Sequence, residues 1–215
     1  KIANKQKDEI ISAISHEFKN PIAIISGYSE TILNDEQMPQ PMKIRFLKKI
    51  YSNANKMSHI VDKLRLTLKL EEGKQELILI PCSMKKLIIT CISDLKDKYK
   101  NREILIQGDD ITLKVDETLI SMAISNLIEN ALKYSEDEII VNISDKSITI
   151  IDKGIGIEEK ELEKINQKFY RISNNGWNNS LGLGLFIVQS VLSLHNFTLK
   201  IDSVFKNGSQ FSINY

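Results

Sequence analysis

Two runs of apolar residues at heptad spacing occupy the first seventy positions and constrain the fold more than any other feature. Their spacing alternates between three and four residues, which aligns the side chains along one stripe of an α-helix. The first run is Ile11, Ile14, Phe18, Pro21, Ile25, Tyr28 and Ile32, and the second is Leu47, Ile50, Ala54, Met57, Val61, Leu64 and Leu68. A polar segment with two prolines, residues 34–41, separates them. The pattern predicts an antiparallel helical hairpin, and since one hairpin covers its apolar stripe poorly, a homodimeric four-helix bundle.

His16 falls on the outer face of the first predicted helix. Asn20 follows one turn later on the same face, and Glu17 lies beside the apolar stripe. Pro21 has no N–H for the carbonyl of Glu17, a defect that costs about 3 kcal/mol in a helix interior. A lone surface histidine is usually just solvated. Next to an acid and a loosened turn, however, His16 is a candidate functional residue.

The rest of the sequence alternates between strand-like and helix-like segments. Runs rich in Ile, Val and Thr predict strands near residues 76–80, 104–107 and 111–115, a hairpin within 138–157, and two closing strands within 197–215. Helices are predicted after Ser83, over Glu117–Tyr134 and after Gly182 and Gly184. This order predicts an α+β domain behind the hairpin.

One face of the predicted helix 117–134 carries polar residues at positions i, i+3, i+4 and i+7. They are Asn126, Glu129, Asn130 and Lys133. The simplest interpretation is a solvated face. Asparagine is a poor helix former, however, so two on one stripe favour a second role, such as holding a cation and phosphates.

Two glycine pairs flank an asparagine-rich stretch. Gly154 and Gly156 follow a strand that ends at Asp152, where glycines let the backbone approach a ligand closely. Gly182 and Gly184 open a helix, whose N-terminus is suited to an anion. Between the pairs, residues 173–180 read "SNNGWNNS" and predict a mobile lid.

Charge and hydropathy exclude several classes of protein. The net charge of +1 shows no basic excess, so we expect no nucleic-acid partner. No apolar run approaches the ~18 residues that a membrane span requires. Cys82 and Cys91 lack metal-ligand spacing and indicate two buried thiols in a reducing compartment. The chain begins at Lys1, so we expect it to be part of a longer protein.

Five segments, in order, resemble the signature motifs of two-component sensor histidine kinases. They are "SHEFKNPI" (the H box), "NLIENALKY" (the N box), "DKGIGI" (the first glycine box), "KFYR" (the F box) and "GLGLFIV" (the second glycine box). The resemblance implies a dimerisation and phosphoacceptor domain over residues 1–72. It implies a catalytic ATP-binding domain over residues 73–215, an α/β sandwich of the histidine kinase, gyrase and chaperone ATPase type.

The resemblance also implies roles for individual residues. His16 matches the phosphoacceptor, Glu17 the acid that takes the imidazole proton, and Asn20 the position that places water for dephosphorylation. The residues that match the family's nucleotide site are Asn126, Asn130, Lys133, Tyr134, Asp152, Gly154, Gly156, Gly182, Leu183 and Gly184. Among them, Asn130 matches the Mg²⁺ ligand and Asp152 the carboxylate that binds the adenine amino group. Leu181 departs from the small or hydroxylated residue that usually precedes the second glycine box.

The implied activity is that of an ATP-dependent protein-histidine kinase that passes its phosphoryl group to an aspartate of a cognate response regulator and also dephosphorylates it. ATP and Mg²⁺ are the implied cofactors, and the implied location is the cytoplasmic side of a bacterial inner membrane, with an anchor upstream of residue 1.

Two alternative functions stay open. One is an ATPase of the gyrase and chaperone superfamily, although Asn126 stands where those enzymes have a water-activating glutamate. The other is a degenerate, non-enzymatic dimeric scaffold.

Overall fold

The chain divides into two compact units in the computed structural model, which describes residues 2–96, 98–172 and 181–215. The first unit is a helical hairpin of α1 (Ile2–Asn34) and α2 (Gln40–Glu71). Helix α1 continues through Pro21. Near the connection, the rings of Tyr28 and Phe46 lie 4.7 Å apart and join the two helices. The predicted hairpin is therefore present.

The apolar stripe predicted for α1 faces inward as expected. From Ile14 onward all of its members are buried or half-buried, and only Ile11, which is 61% exposed, lies outside. On α2 the prediction is half wrong. Ile50, Met57 and Leu64 are half-buried, but the other predicted members are exposed; we call these four residues the outer stripe of α2: Leu47, Ala54, Val61 and Leu68.

The inner face of α2 lies one residue to the side of the outer stripe. Besides the half-buried Ile50, Met57 and Leu64, this face includes a second heptad row of Phe46, Asn53, Ile60 and Thr67, which are buried or half-buried. Both sets repeat every seven residues, so periodicity alone does not decide which one faces α1. Two inner members are polar, but Asn53 Nδ2 donates to the carbonyl of Lys49 (2.8 Å) and Thr67 Oγ1 to that of Lys63 (2.7 Å). Because each polar group is satisfied within its own helix, it is tolerated inside the hairpin.

The second unit is an α+β domain. Its helices are α3 (Met84–Lys96), α4 (Glu117–Tyr134), the short α5 (Glu159–Leu162) and α6 (Gly184–Leu194). Its strands are β1 (Ile80–Ser83), β2 (Ile104–Gln107), β3 (Thr112–Val115), β4 (Ile139–Ile143), β5 (Ser147–Asp152), β6 (Thr198–Val204) and β7 (Gly208–Asn214). The order β2-β4-β5-β7-β6 makes a mixed sheet in which only β2 and β4 are parallel, and β1 pairs antiparallel with β3.

Helix α4 lies at the centre of this unit. It contacts α3, α6 and strand β5. Its predicted apolar face is confirmed, because every member is at most 2% exposed: Ile120, Ala123, Ile124, Leu127, Ile128 and Ala131. The inward-facing residues of the central strands complete the core, including Ile139, Val141, Ile148, Ile150, Phe211 and Ile213. A helical layer on a mixed sheet is the predicted α/β sandwich.

The first strand is displaced from its predicted position. It was expected near residues 76–80, but β1 begins at Ile80, because its pairing with β3 joins Ile80 to Val115 and Ser83 to Thr112. Ile78 is 75% exposed, so the apolar start of the run stays outside the core.

Helix α3 begins after Ser83, as predicted. Ser83 Oγ accepts a hydrogen bond from the backbone N–H of Lys86 (3.2 Å). None of the helices in the described part of the chain has the length and apolarity to cross a membrane.

Candidate active site

Helix α4 carries four of the predicted site residues, and a buried junction fixes where it begins. Asp116 caps the helix through Oδ1, which accepts from the backbone N–H of Leu119 (3.1 Å), and its Oδ2 accepts from that of Ile78 (3.1 Å). The backbone N–H of Asp116 donates to Nε2 of His195 (3.0 Å), whose Nδ1 bonds the carbonyl of Val191 (2.7 Å). These partners require the neutral imidazole with its proton on Nδ1. The junction ties the start of α4 to the end of α6.

The middle of α4 meets the start of α6 at Asn126. This side chain is only 7% exposed, and its Nδ2 donates to the carbonyl of Met122 (2.8 Å). A Cβ built on Gly184 would lie 3.5 Å from Oδ1 of Asn126. The structure therefore brings these two predicted residues together at the N-terminus of an eleven-residue helix, where free backbone N–H groups favour an anion.

The C-terminal turn of α4 meets the first glycine box. The carbonyl of Tyr134 accepts a hydrogen bond from the backbone N–H of Ile155 (3.1 Å), and a Cβ on Gly154 would lie only 2.1 Å from the same oxygen. No side chain fits in that space, so glycine is required at position 154. Tyr134, Gly154 and Asp152 form one corner of the candidate nucleotide site.

Asp152 ends strand β5 as a buried carboxylate, 5% exposed. Burial raises the pKa of this carboxyl group, while hydrogen bonds from the backbone N–H groups of Gly154 and Ser209 act in the opposite direction. Oδ1 accepts the bond from Gly154 at 2.8 Å. A carboxylate fixed in this way can accept a further bond from a ligand's amino group.

Asn130 and Lys133 lie on the predicted polar stripe of α4 and are half-buried. The Nζ atom of Lys133 lies 5.0 Å from the centre of the Tyr134 ring, which keeps the ammonium group at the same end of the helix as that ring. The stripe is therefore not a simple solvated face. Its amide oxygens and its ammonium group are suited to a cation and to phosphates, respectively.

The remaining glycines are fixed by their backbones. Gly156 and Gly182 have φ of +61° and +67°, and a Cβ would lie 2.1 Å from the carbonyl oxygen of Val204 and 2.6 Å from that of Tyr170, respectively. Leu183 is 2% exposed, so any contact with a ligand at this position would come from its backbone. Leu181 is also buried and offers no polar side chain. The predicted lid, residues 173–180, lies outside the described residues.

The other three predicted site residues belong to the hairpin unit. His16 is exposed, as predicted, and Asn20 is half-buried one turn later. Glu17 is only 3% exposed, and its Oε1 has no hydrogen-bond partner among the described residues. Successive helix residues project about 100° apart, so the structure does not direct His16 and Glu17 to the same side of α1.

Three residues that contact the ends of α4 were missed from the sequence: Asp116, His195 and Arg102. Asp116 could have been recognised as a helix N-cap, since it directly precedes a helical pattern. His195 and Arg102 act through long-range contacts with backbone groups of α4 and the turn after it. No local sequence pattern marks such contacts.

Two family models match the chain. Residues 6–73 match the His Kinase A (phospho-acceptor) domain, and residues 115–215 match the histidine kinase-, DNA gyrase B-, and HSP90-like ATPase. Among curated proteins, the phosphate regulon sensor protein PhoR of Pseudomonas aeruginosa is 30% identical over 98% of this chain and 50% of its own length. The sensor-like histidine kinase SenX3 of Mycolicibacterium smegmatis is 27% identical, over 96% and 56%. The chain thus spans about half the length of the curated relatives it matches.

Solved structures share the fold. Acinetobacter baumannii histidine kinase AdeS superimposes with a TM-score of 0.69 at 21% identity, covering 92% of this chain and 95% of that one. Full-length ShkA in complex with AMPPNP gives a TM-score of 0.68 at 18% identity, covering 96% and 45%. Both agree with a helical hairpin followed by an α/β sheet domain.

Proposed function

Because the chain belongs to the sensor histidine kinase family, we propose that it phosphorylates His16 with ATP and then transfers the phosphoryl group to an aspartate of a response regulator. The observations that carry the proposal are an exposed histidine on α1 and, in the second unit, the contacts of α4 with both glycine boxes, where Asn126 lies beside Gly184 and Tyr134 beside Gly154. In this proposal Asp152 binds the adenine amino group, and the start of α6 faces the phosphates.

In the proposed reaction, a ring nitrogen of neutral His16 attacks the γ-phosphorus of ATP. The N–P bond forms as the bond from phosphorus to the ADP oxygen breaks, and the imidazole proton passes to Glu17. Because the structure does not direct His16 and Glu17 to the same side of α1, the assignment of Glu17 as the proton acceptor rests on the family resemblance. Positioning of the reacting groups supplies most of the remaining acceleration.

We propose Asn130 as the Mg²⁺ ligand. The part of the chain that the structure describes contains no cluster of three His, Cys, Asp or Glu side chains that could hold a metal ion. The amide oxygen of Asn130 fits an ion whose other ligands are phosphate oxygens and water. When bound, Mg²⁺ would offset the negative charge of the phosphates.

The alternative of a gyrase- or chaperone-like ATPase is less well supported. Its hydrolysis would need a general base where this chain has Asn126. An amide accepts no proton at neutral pH, and the Nδ2 of Asn126 is already bonded to the carbonyl of Met122.

Two partners are part of the proposal. The exposed outer stripe of α2 supports a homodimer, in which it would be covered by a second copy of the hairpin. The exposed position of His16 supports access for the regulator. A location at the bacterial inner membrane stays a prediction from the family resemblance.

Replacing His16 tests the kinase activity. With labelled ATP and Mg²⁺ we expect the parent chain to form a phosphoprotein whose label is lost in acid and kept in alkali, because a phosphoramidate has these properties. His16→Gln should form no such phosphoprotein. His59→Gln is the matched control, because His59 is also exposed and lies on the other helix of the hairpin. Label that persists in His16→Gln, or a parent that forms none, would refute the proposal.

We propose that Asn20 supports dephosphorylation of the regulator. It lies one turn from His16, and its amide can hold a water molecule by hydrogen bonds without acting as a base. Asn20→Ala should keep self-phosphorylation within roughly tenfold and lose most of the phosphatase activity. Dephosphorylation of a phosphorylated regulator in the presence of ADP measures this, and equal rates for parent and variant would exclude the role.

A further inference from the structure

Arg102, in the connection between α3 and β2, binds three backbone carbonyls at the C-terminal end of α4. Its Nη1 donates to the carbonyl oxygens of Leu132 (3.0 Å) and Ser135 (2.7 Å), and its Nη2 to that of Asp137 (2.8 Å). The last carbonyls of a helix have no partners within the helix, and a cation near them also complements the partial negative charge there. Arg102 therefore holds both the last turn of α4 and the turn that follows.

The same helical turn presents the candidate nucleotide residues. Lys133 and Tyr134 lie between the two carbonyls that Nη1 binds, and Asn130 is two residues before the first. The carbonyl of Tyr134 in turn receives the backbone N–H of Ile155. A shift of this turn would thus move the polar stripe and the first glycine box together.

The space around this turn allows little adjustment. Even a Cβ at Gly154 would collide with the carbonyl of Tyr134, so the two backbones are in direct contact. Hydrogen bonds also fix neighbouring carbonyls: that of Ala131 accepts from the backbone N–H of Ser135 (3.1 Å). Interiors packed this closely transmit small displacements.

A second contact comes from the same connection. Lys98 forms an ion pair with Glu129, which directly precedes Asn130 on α4. Lys98 is largely exposed, however, with 60% of its side chain accessible, and exposed ion pairs contribute little. The partly buried guanidinium group with three bonds is the stronger of the two contacts.

We propose that Arg102 is a positioning residue of the nucleotide site, which sets the affinity for ATP by holding the C-terminal turn of α4 against the first glycine box. The inference rests on the proposed ATP-binding function. It assigns a role to a residue outside the five kinase motifs, at the opposite end of α4 from the Asp116–His195 junction.

Four versions of the 215-residue chain test this role: the parent, Arg102→Gln, Arg102→Lys and the control Lys100→Gln. Lys100 is an exposed cation two residues away, so its replacement removes the same charge without the three bonds. Titration with a fluorescent ATP analogue gives affinity, urea unfolding gives stability, and self-phosphorylation against ATP concentration separates KM from kcat.

We expect Arg102→Gln to weaken binding and raise the KM for ATP by roughly tenfold, with kcat at saturating ATP within about twofold of the parent. Arg102→Lys should retain part of the affinity, because one ammonium group can replace Nη1 at two of the three carbonyls. Lys100→Gln should match the parent.

A purely structural role predicts a different result. The urea midpoint would then fall in Arg102→Gln, while the folded protein would keep the parent's affinity and KM, and that result would overturn the proposal. Equal weakening by Lys100→Gln would also overturn it. If Arg102→Gln does not fold, Arg102→Lys decides, and parental affinity in that variant refutes the role. A parent that binds no ATP would overturn the proposed function and this inference with it.

Discussion

Asp152 combines a buried charge with a predicted ligand contact, and the two can be separated by one substitution. Burial raises its pKa in the folded chain above the unfolded value, so the ionised carboxylate reduces stability at neutral pH. Asp152→Asn removes the charge and keeps an oxygen for the backbone N–H of Gly154. We expect unchanged or higher stability at pH 7 in urea unfolding, but roughly tenfold weaker ATP binding in titration.

The pH dependence gives this prediction a sign. Any gain in stability from Asp152→Asn should be largest at neutral pH and should vanish as the pH falls through the raised pKa of Asp152, because the parent carboxyl then becomes neutral too. Asp109→Asn serves as the control, since Asp109 is exposed in the connection between β2 and β3. Parental ATP affinity in Asp152→Asn would contradict the assignment of the adenine contact.

Individual site residues were predictable to different degrees. Asn126, Asn130 and Lys133 follow from helical spacing, because residues three, four and seven positions apart share a face. The contact between Gly154 and Tyr134 joins residues twenty positions apart, and no local pattern encodes it. The same is true of Arg102, whose guanidinium group binds carbonyls thirty or more positions further along the chain. Such contacts depend on how α4 lies against the rest of the domain.

At the scale of single elements, the outer stripe of α2 makes the dimer testable. Val61 is 51% exposed near its middle, and in a twofold-symmetric bundle it would be buried twice. Val61→Glu would bury a charge at each copy, so we expect a monomer of 24.6 kDa by light scattering where the parent is a dimer.

Asn55→Glu is the matched control for that substitution, because Asn55 is exposed and lies about 120° around α2 from Val61. It should leave the dimer intact. A Val61→Glu chain that keeps twice the monomer mass at the parent's concentration would place the dimer interface elsewhere. A monomeric parent would refute the dimer itself.

Elements with one decisive pattern were predicted well, and those with two competing patterns were not. Helix α4 was predicted at its observed bounds, since its apolar face is continuous from Ile120 to Ala131. On α2 two neighbouring heptad stripes compete, and the inner one contains Asn53 and Thr67, whose polarity conceals it. Strand β1 was displaced because its position depends on its partner β3 rather than on its own composition.

At the scale of the whole molecule, the folds of the two units depend on different kinds of contact, and they were predictable from the sequence to different degrees. Heptad spacing is a local signal, and it was sufficient for the existence of the hairpin. The five-stranded order β2-β4-β5-β7-β6 combines one parallel pair with antiparallel ones, and it was not predicted, because the family resemblance implied only an α/β sandwich and the strand patterns do not specify pairing. The segment before β1 joins the second unit through the N–H of Ile78 at Asp116, a contact between residues 38 positions apart.

The tight backbone contacts around the glycine boxes determine which of these glycines would be replaced in a descendant that had lost its function. Gly154, Gly156 and Gly182 leave no room for a methyl group, whether or not a nucleotide is ever bound. A descendant that no longer binds a nucleotide would still need them to fold, so the presence of these three glycines indicates a folding requirement and gives no information about catalysis. Gly184 differs, because a Cβ there would meet Asn126 at an ordinary distance of 3.5 Å. Of these four glycines, Gly184 is therefore the one whose replacement would indicate that selection for phosphate binding had ended.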